Sequence, residues 1–291
     1  MEFFRNRRSA AGRRAVVLAL GPLEIELSGL DDALAELLFQ RYAPYSARTV
    51  RADDPLRLRL ALEDRQYFID PPETFELVRV YIACDGDRVR YVSYRVAAWF
   101  DVAANEGDVL LASGTFEPPE RALENIIRTA VAWQAAARGG VMVHAASAVW
   151  KGRGYLFYGE SGAGKSTLSA CNRRAQVVSD DLSLLLPGKD GLELIGSPFR
   201  GTYTEGPPVI GRFPLVAGFR LVQADRAAVT EVDRVRGLSE LVGNLPFVAE
   251  AFASRPDLFE RVEQAFTAVP LAHLHFRKDD TYWDAIEAAG H

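Results

Sequence analysis

Residues 159–167, GESGAGKST, have the G-x-x-x-x-G-K-[ST] spacing of a phosphate-binding loop. The apolar run 155–158 precedes the loop and predicts a strand, and a short helical pattern opens at Lys165. Glycines allow such a loop to curl around an anion and point its N–H groups inward, and a helix N-terminus adds unpaired donors. The sequence therefore predicts a nucleotide-binding loop made of Gly159, Glu160, Ser161, Gly162, Ala163, Gly164, Lys165, Ser166 and Thr167.

Two adjacent carboxylates, Asp180 and Asp181, follow the loop after a short helix and one predicted strand, 176–179. They end that strand at the edge of the sheet where the phosphate loop is also expected. Two carboxylates beside a triphosphate would repel it unless Mg²⁺ intervened. One is therefore expected to coordinate the metal, directly or through water, and the other to accept the proton of an attacking hydroxyl. Lys165 is expected to reach the terminal phosphates, and Ser166 to bind Mg²⁺ through its hydroxyl.

Period-two alternation dominates the first part of the chain and predicts strands with one buried face. The alternating runs are 56–62, 75–81 and 89–96, with a hairpin turn at 85–87. Apolar residues at helical spacing predict a helix over 31–42, with an N-cap at Asp31 or Asp32. Residues 1–115 are therefore predicted to form a mainly antiparallel α+β domain. We expect this domain to be a candidate for acceptor recognition.

Residues 116–291 are predicted to form the nucleotide-binding domain. The longest helical pattern, 119–138, stops at two glycines and joins the two parts of the chain. Further strands are predicted at 141–150, 182–186, 192–195, 219–222, 229–232 and 271–276, and further helices at 238–252, 256–268 and 283–289. We therefore expect an α/β protein.

Charge and composition argue against several partners and sites. The net charge is −5, whereas a nucleic-acid surface usually shows a basic excess, so no nucleic-acid partner is expected. Cys84 and Cys171 match no metal or redox spacing, and His273 and His275 lack a suitably spaced third ligand. The apolar run 15–20 is too short for a signal peptide, and no run approaches the about 18 residues of a membrane span. We expect a cytoplasmic protein without a membrane partner.

The motif H-x(14)-GESGAGKST, followed by VVSDDLSLL, resembles the kinase domain of HPr kinase/phosphorylase and, more distantly, the nucleotide-binding domain of PEP carboxykinase. It is still more similar to the stand-alone HPr-kinase-like proteins of bacteria. In those families the Asp pair also follows the loop by a short helix and one strand. The resemblance covers residues 139–222 and implies an HPr-kinase/PEP-carboxykinase-like P-loop fold for 116–291.

The same resemblance implies roles for single residues. Ser166 and Asp180 would bind Mg²⁺, and Asp181 would act as the base that takes the proton from a seryl hydroxyl. His144 would lie near the phosphates, and Arg200 would contact the transferred phosphoryl group. With Lys165, these give four candidate catalytic residues: Asp181, Lys165, His144 and Arg200.

The sequence departs from HPr kinase in two respects. Thr167 stands where that family usually has Glu, and no HPr-docking segment is recognisable before the C-terminus. These departures leave the kinase core in place and put HPr itself in doubt as the acceptor.

The expected activity is Mg-ATP-dependent transfer of the γ-phosphoryl group to a hydroxyl, with a serine of a protein or peptide as acceptor. GTP stays open as the nucleotide, and a homo-oligomer stays open as the assembly. Two alternatives remain. One is a small-molecule P-loop kinase, although the Asp pair lacks the D-G-D-N pattern expected there. The other is a nucleotide-binding regulatory or assembly module with little turnover.

Overall fold

A computed structural model describes residues 4, 10–73, 79–248, 251–252 and 255–291. The chain divides into two compact units, Met1–Gln134 and Ala135–His291. The division falls inside a long helix, α2 (Pro119–Ala137), whereas the sequence placed the domain boundary near residue 115. No helix in the described part of the chain is long and apolar enough to cross a membrane.

The first unit contains an eight-stranded sheet in the order β3-β1-β2-β4-β8-β7-β6-β5. Its strands are β1 (Arg14–Leu20), β2 (Leu23–Leu30), β3 (Ser46–Ala47), β4 (Leu56–Glu63), β5 (Tyr81–Asp85), β6 (Arg88–Val92), β7 (Val96–Asp101) and β8 (Glu106–Ala112). Strand β4 pairs in parallel with β2 and β8, and the other pairings in this sheet are antiparallel. The sheet is therefore mixed.

Local patterns in this unit predict some of its elements, including the strand 56–62, which corresponds to β4. Helix α1 (Asp32–Arg41) begins after Asp31, whose carboxylate accepts the Leu34 N–H at 2.8 Å, so the predicted helix and N-cap are confirmed. The hairpin turn at 85–87 is also confirmed. The predicted strand 89–96 is wrong as one strand, because the Ser93 N–H bonds back to the Val96 carbonyl at 2.7 Å and separates β6 from β7. Most of the predicted strand 75–81 lies outside the described residues.

The second unit contains the phosphate loop. Its strands are β9 (Val141–Trp150), β10 (Arg153–Tyr158), β11 (Gln176–Ser179), β12 (Leu182–Pro187), β13 (Leu192–Ile195), β14 (Arg212–Gln223), β15 (Ala228–Glu231) and β16 (Leu271–Phe276). Its helices after α2 are α3 (Lys165–Cys171), α4 (Arg234–Val242), α5 (Pro256–Ala265) and α6 (Tyr282–Ala288). The predicted strands have counterparts here, and α4 is shorter than the predicted helix 238–252.

The predicted fold class is wrong. We expected an α/β protein in which an HPr-kinase/PEP-carboxykinase-like P-loop domain follows a mainly antiparallel domain along the chain. The chain is a mixed, sheet-rich protein with 37% strand and 23% helix. In the second unit β10, β9, β12, β13 and β14 pair in turn, and a β10–β14 pairing closes them into a five-stranded barrel. The closure depends on the length of β14, because its residues 212–214 pair with β13 and its residues 215–220 pair in parallel with β10.

Three parallel strands position the site. Strand β14 pairs in parallel with both β10 and β16, so the carboxyl ends of the three strands lie at one edge of the sheet. The phosphate loop follows β10 at this edge, Gln223 ends β14, and Arg277 and Lys278 follow β16. Ligands of sheets with parallel strands commonly bind at such an edge.

An aromatic core packs against the three parallel strands. Trp283 of α6 is fully buried and lies 4.7 Å from Trp150 and 5.1 Å from Tyr155 between ring centroids. Its indole N–H donates to the Asn172 side-chain oxygen at 3.1 Å. Because Asn172 caps the end of α3, this bond fixes the short helix that follows the phosphate loop against the core.

Candidate phosphate-transfer site

The phosphate loop has a backbone conformation that only glycine adopts easily. Gly162 and Gly164 have φ of 83° and 107°, in the left-handed region. A Cβ at Gly164 would also lie 2.5 Å from the Phe276 ring, so the loop packs directly on the end of β16. The curled loop predicted from the glycine spacing is therefore present.

Lys165 lies at the start of α3 with its ammonium group turned towards the loop. Nζ donates to the carbonyls of Gly159 at 2.7 Å and Glu160 at 3.3 Å. The side chain is buried, and desolvation lowers its pKa, although the nearby charge of Asp181 opposes the shift. The structure thus places a largely desolvated cation beside the loop, where it can approach an anion that binds there.

Asp180 is the most heavily hydrogen-bonded side chain of the site. Its carboxylate accepts five hydrogen bonds, from Ser166 Oγ at 3.1 Å, Gly201 N at 2.7 Å, Thr202 N at 3.0 Å, Thr202 Oγ1 at 3.1 Å and Tyr203 N at 3.0 Å. Burial by itself would raise its pKa, but these donors together keep the pKa below its ordinary value. Asp180 therefore stays ionised and joins α3 to the segment after Arg200.

Asp181 and His144 come together on neighbouring strands. Leu182, the next residue after Asp181, pairs with His144 across β12 and β9, and the Ala145 N–H donates to the Asp181 carbonyl at 2.9 Å. His144 Nε2 lies 3.4 Å from Asp181 Oδ1, with the His144 side chain 47% exposed and that of Asp181 26% exposed. A partly exposed carboxylate and an imidazole therefore lie within reach of a substrate.

These residues share one cleft of about 430 Å³. Its walls come from the loop, α3, the Asp pair, the segment after Arg200 and two strand ends: His144, Ser161, Gly162, Gly164, Lys165, Ser166, Thr167, Asp180, Asp181, Gly201, Thr202, Gln223 and Lys278. The cleft thus brings together six of the nine predicted loop residues with Asp180 and Asp181, and its lining does not include Gly159, Glu160 or Ala163.

Arg200 occupies a different place from the one that its predicted role requires. Its guanidinium donates five hydrogen bonds, all to backbone carbonyls, of Val177, Val178, Glu205, Gly206 and Pro207. Among the described residues, those that line the cleft do not include Arg200. In this structure it fastens the segment 201–207 to strand β11.

Sequence reasoning missed Gln223, Lys278 and Thr202. The Gln223 side-chain N–H donates to the Gly162 carbonyl at 2.9 Å and so braces the loop from β14. Lys278 adds an exposed cation to the cleft, beside the buried Lys165. The sequence held a sign of Gln223 and Lys278, because each comes shortly after a predicted strand. Only the parallel pairing of β10, β14 and β16 shows that these two residues lie near the loop.

The donor set around Ser166 suits Mg²⁺. The described residues hold no group of three or more His, Cys, Asp or Glu side chains that could bind a metal. Mg²⁺ is usually bound by one or two protein oxygens, substrate phosphates and waters, so Ser166 and Asp180 fit this kind of site. Because the Asp180 carboxylate already accepts five hydrogen bonds, it fits a contact through water better than a direct one.

The two histidines on β16 have separate partners. His273 Nε2 lies 2.7 Å from Glu240 Oε2, and His275 Nε2 lies 3.2 Å from Thr230 Oγ1. Each of these histidines therefore has a polar neighbour of its own.

Comparison with known proteins leaves the site to be interpreted from its geometry. No protein-family model matches the sequence, and no curated protein matches it. The resemblance to HPr kinases therefore stays a prediction.

Replacing Arg200 tests its structural role. In Arg200→Ala, five carbonyls lose their donor, so we expect native-state proteolysis within 201–207 to become at least about tenfold faster, as more frequent local opening requires. Arg212→Ala is the matched control, since Arg212 pairs with Glu193 away from this segment. Unchanged cleavage together with slower phosphoryl transfer would instead support contact between Arg200 and the phosphoryl group.

The depressed pKa of Asp180 predicts a pH-dependent contribution to stability. Its ionised form is favoured by folding, so the stabilisation is complete above the ordinary pKa of 3.8 and is lost as pH falls through the lower folded value. Asp180→Asn should lower the free energy of unfolding by about 3 kcal/mol at pH 7, because an amide cannot satisfy all five donors. Urea unfolding measured between pH 7 and pH 3 should show that the difference in free energy of unfolding between the wild type and Asp180→Asn becomes smaller in acid. A difference independent of pH would contradict the assignment.

Proposed function

We propose that the protein is a Mg-ATP-dependent kinase that transfers the γ-phosphoryl group to a hydroxyl, with GTP as the alternative nucleotide. The observation that supports this most strongly is the position of Asp181. Its carboxylate lies beside His144, in the same cleft as the phosphate loop and Lys165. A loop alone would support nucleotide binding, whereas a partly exposed carboxylate in the same cleft as the loop supports transfer.

The proposed step is an in-line displacement. The acceptor oxygen forms a bond to the γ-phosphorus while the bond from that phosphorus to the β,γ-bridging oxygen breaks, and ADP leaves with the electron pair of the broken bond. The proton of the acceptor hydroxyl passes to Asp181, which His144 stabilises as its neighbour. The products are a phosphorylated acceptor and ADP.

Other residues supply charge and position. Lys165, released from the loop carbonyls, would neutralise charge on the terminal phosphates. Ser166 and Asp180 would hold Mg²⁺, which when bound neutralises charge on the phosphate oxygens. The hydrogen bonds that Gly201, Thr202 and Tyr203 donate to Asp180 would keep this segment in place beside the acceptor hydroxyl.

A serine of a protein or peptide is the proposed acceptor. Support comes from the likeness of His144, the loop and the Asp pair to the corresponding motif of HPr kinases. His144 and Thr202 are exposed where they line the cleft, so an acceptor hydroxyl on a larger molecule can approach them from solvent.

Exchanging Asp181 for asparagine tests the base. Asp181→Asn should slow transfer of label from γ-labelled ATP to protein acceptors of the native host by about 10²–10⁴-fold, since an amide cannot take the proton. ATP binding should change only slightly. Asp190→Asn, an exposed carboxylate in the turn between β12 and β13, is the matched control.

Two results would contradict the proposal. Unchanged transfer by Asp181→Asn would show that another group takes the proton. Stoichiometric ATP binding by the wild type without a labelled acceptor would favour a nucleotide-binding regulatory module.

A further inference from the structure

A second pocket of about 400 Å³ adjoins the cleft. It shares Gly164, Thr167, Gln223 and Lys278 with the cleft and extends beyond them over the ends of β14 and β16. The two cavities are therefore neighbouring compartments that have these four residues in common. Nothing in the proposed transfer step uses the second compartment.

The pocket has a fixed frame that is joined to the phosphate loop. Gln223 and Phe276 are paired in the parallel ladder, and the Ala224 N–H donates to the Phe276 carbonyl at 2.9 Å. Phe276 lies against Gly164, and Gln223 bonds to Gly162. Whatever enters this pocket is therefore positioned relative to the phosphates in the loop.

The lining combines apolar surface with uncommitted charge. Phe276 provides an aromatic surface, and Arg277 is paired with Asp279. Within the described ranges, neither Asp225 nor Lys278 has a recorded hydrogen bond or ion pair, and both side chains are exposed. A carboxylate next to an apolar surface suits a ligand with hydroxyl donors and a flat ring system, such as a nucleoside.

Each compartment has lining residues that the other does not have. His144, Asp181 and Thr202 line the cleft alone, so the acceptor approaches there. Asp225 and Phe276 line the second pocket alone, and Thr167, next to the metal-binding candidate Ser166, lines both. A nucleotide whose γ-phosphate faces Asp181 therefore extends past Thr167 into the second pocket.

We propose that the second pocket binds the nucleoside of the nucleotide, with ribose hydroxyls donating to Asp225 and Lys278 contacting the phosphates at the junction. This inference rests on the proposed function, because it assumes that the loop binds the phosphates. It adds the direction of the nucleotide and a residue that recognises the sugar.

The test compares Mg²⁺ complexes of ATP, 2′,3′-dideoxy-ATP and inorganic tripolyphosphate by titration calorimetry. Wild-type protein should bind ATP at least about tenfold more tightly than dideoxy-ATP, as expected for hydrogen bonds to a carboxylate. Asp225→Ala should weaken ATP binding by the same factor, bind ATP and dideoxy-ATP equally, and leave tripolyphosphate affinity unchanged. Asp190→Ala is the control with the same exchange at an exposed site.

The outcomes distinguish failure of the nucleoside pocket from failure of the proposed function. If the wild type binds neither ATP nor tripolyphosphate, the proposed function fails. If tripolyphosphate binds but Asp225→Ala leaves the preference for ATP over dideoxy-ATP intact, the nucleoside pocket is overturned and the phosphate site stands. Equal weakening of all three ligands by Asp225→Ala would also overturn it, since the effect would then be general.

Discussion

The buried carboxylate of Asp180 connects the parts of the site. It accepts bonds from Ser166 on the helix behind the phosphate loop and from Gly201, Thr202 and Tyr203 in a separate segment. These donors keep it ionised despite burial, so the connection persists at neutral pH. With Asp180 so fixed, its neighbour Asp181 is directed into the cleft beside His144.

Local chemistry made several features predictable. The loop spacing identified residues 159–167, the alternation of apolar residues identified strand β4, and a mostly apolar run identified the buried strand β9. Lys165 and Asp180 lie close together in the sequence, so only a short helix and one strand fit between them. Helix α3 and strand β11 are these two elements. Each of these predictions depended on residues close together in the chain.

Non-local pairing was the part that the sequence could not supply. Period two shows that a segment is a strand, but it does not show its partners or their direction, so barrel closure through β10 and β14 was missed and the α/β class was wrong. The same reason hid Gln223 and Lys278, which reach the loop only through parallel ladders. The family resemblance implied that Arg200 contacts the phosphoryl group. In the structure its guanidinium instead donates five hydrogen bonds to nearby backbone carbonyls.

In the proposed function, the loop and Lys165 bind the phosphates of a nucleotide. Calorimetric titration of Mg-ATP into wild-type protein and Lys165→Met tests it most directly, because methionine keeps much of the side chain's length and removes its charge. The account predicts one nucleotide bound per wild-type chain and a loss of affinity of about tenfold or more in the folded variant, as expected when a charge-assisted contact is removed. Absence of binding to the wild type, or equal binding by Lys165→Met, would contradict it.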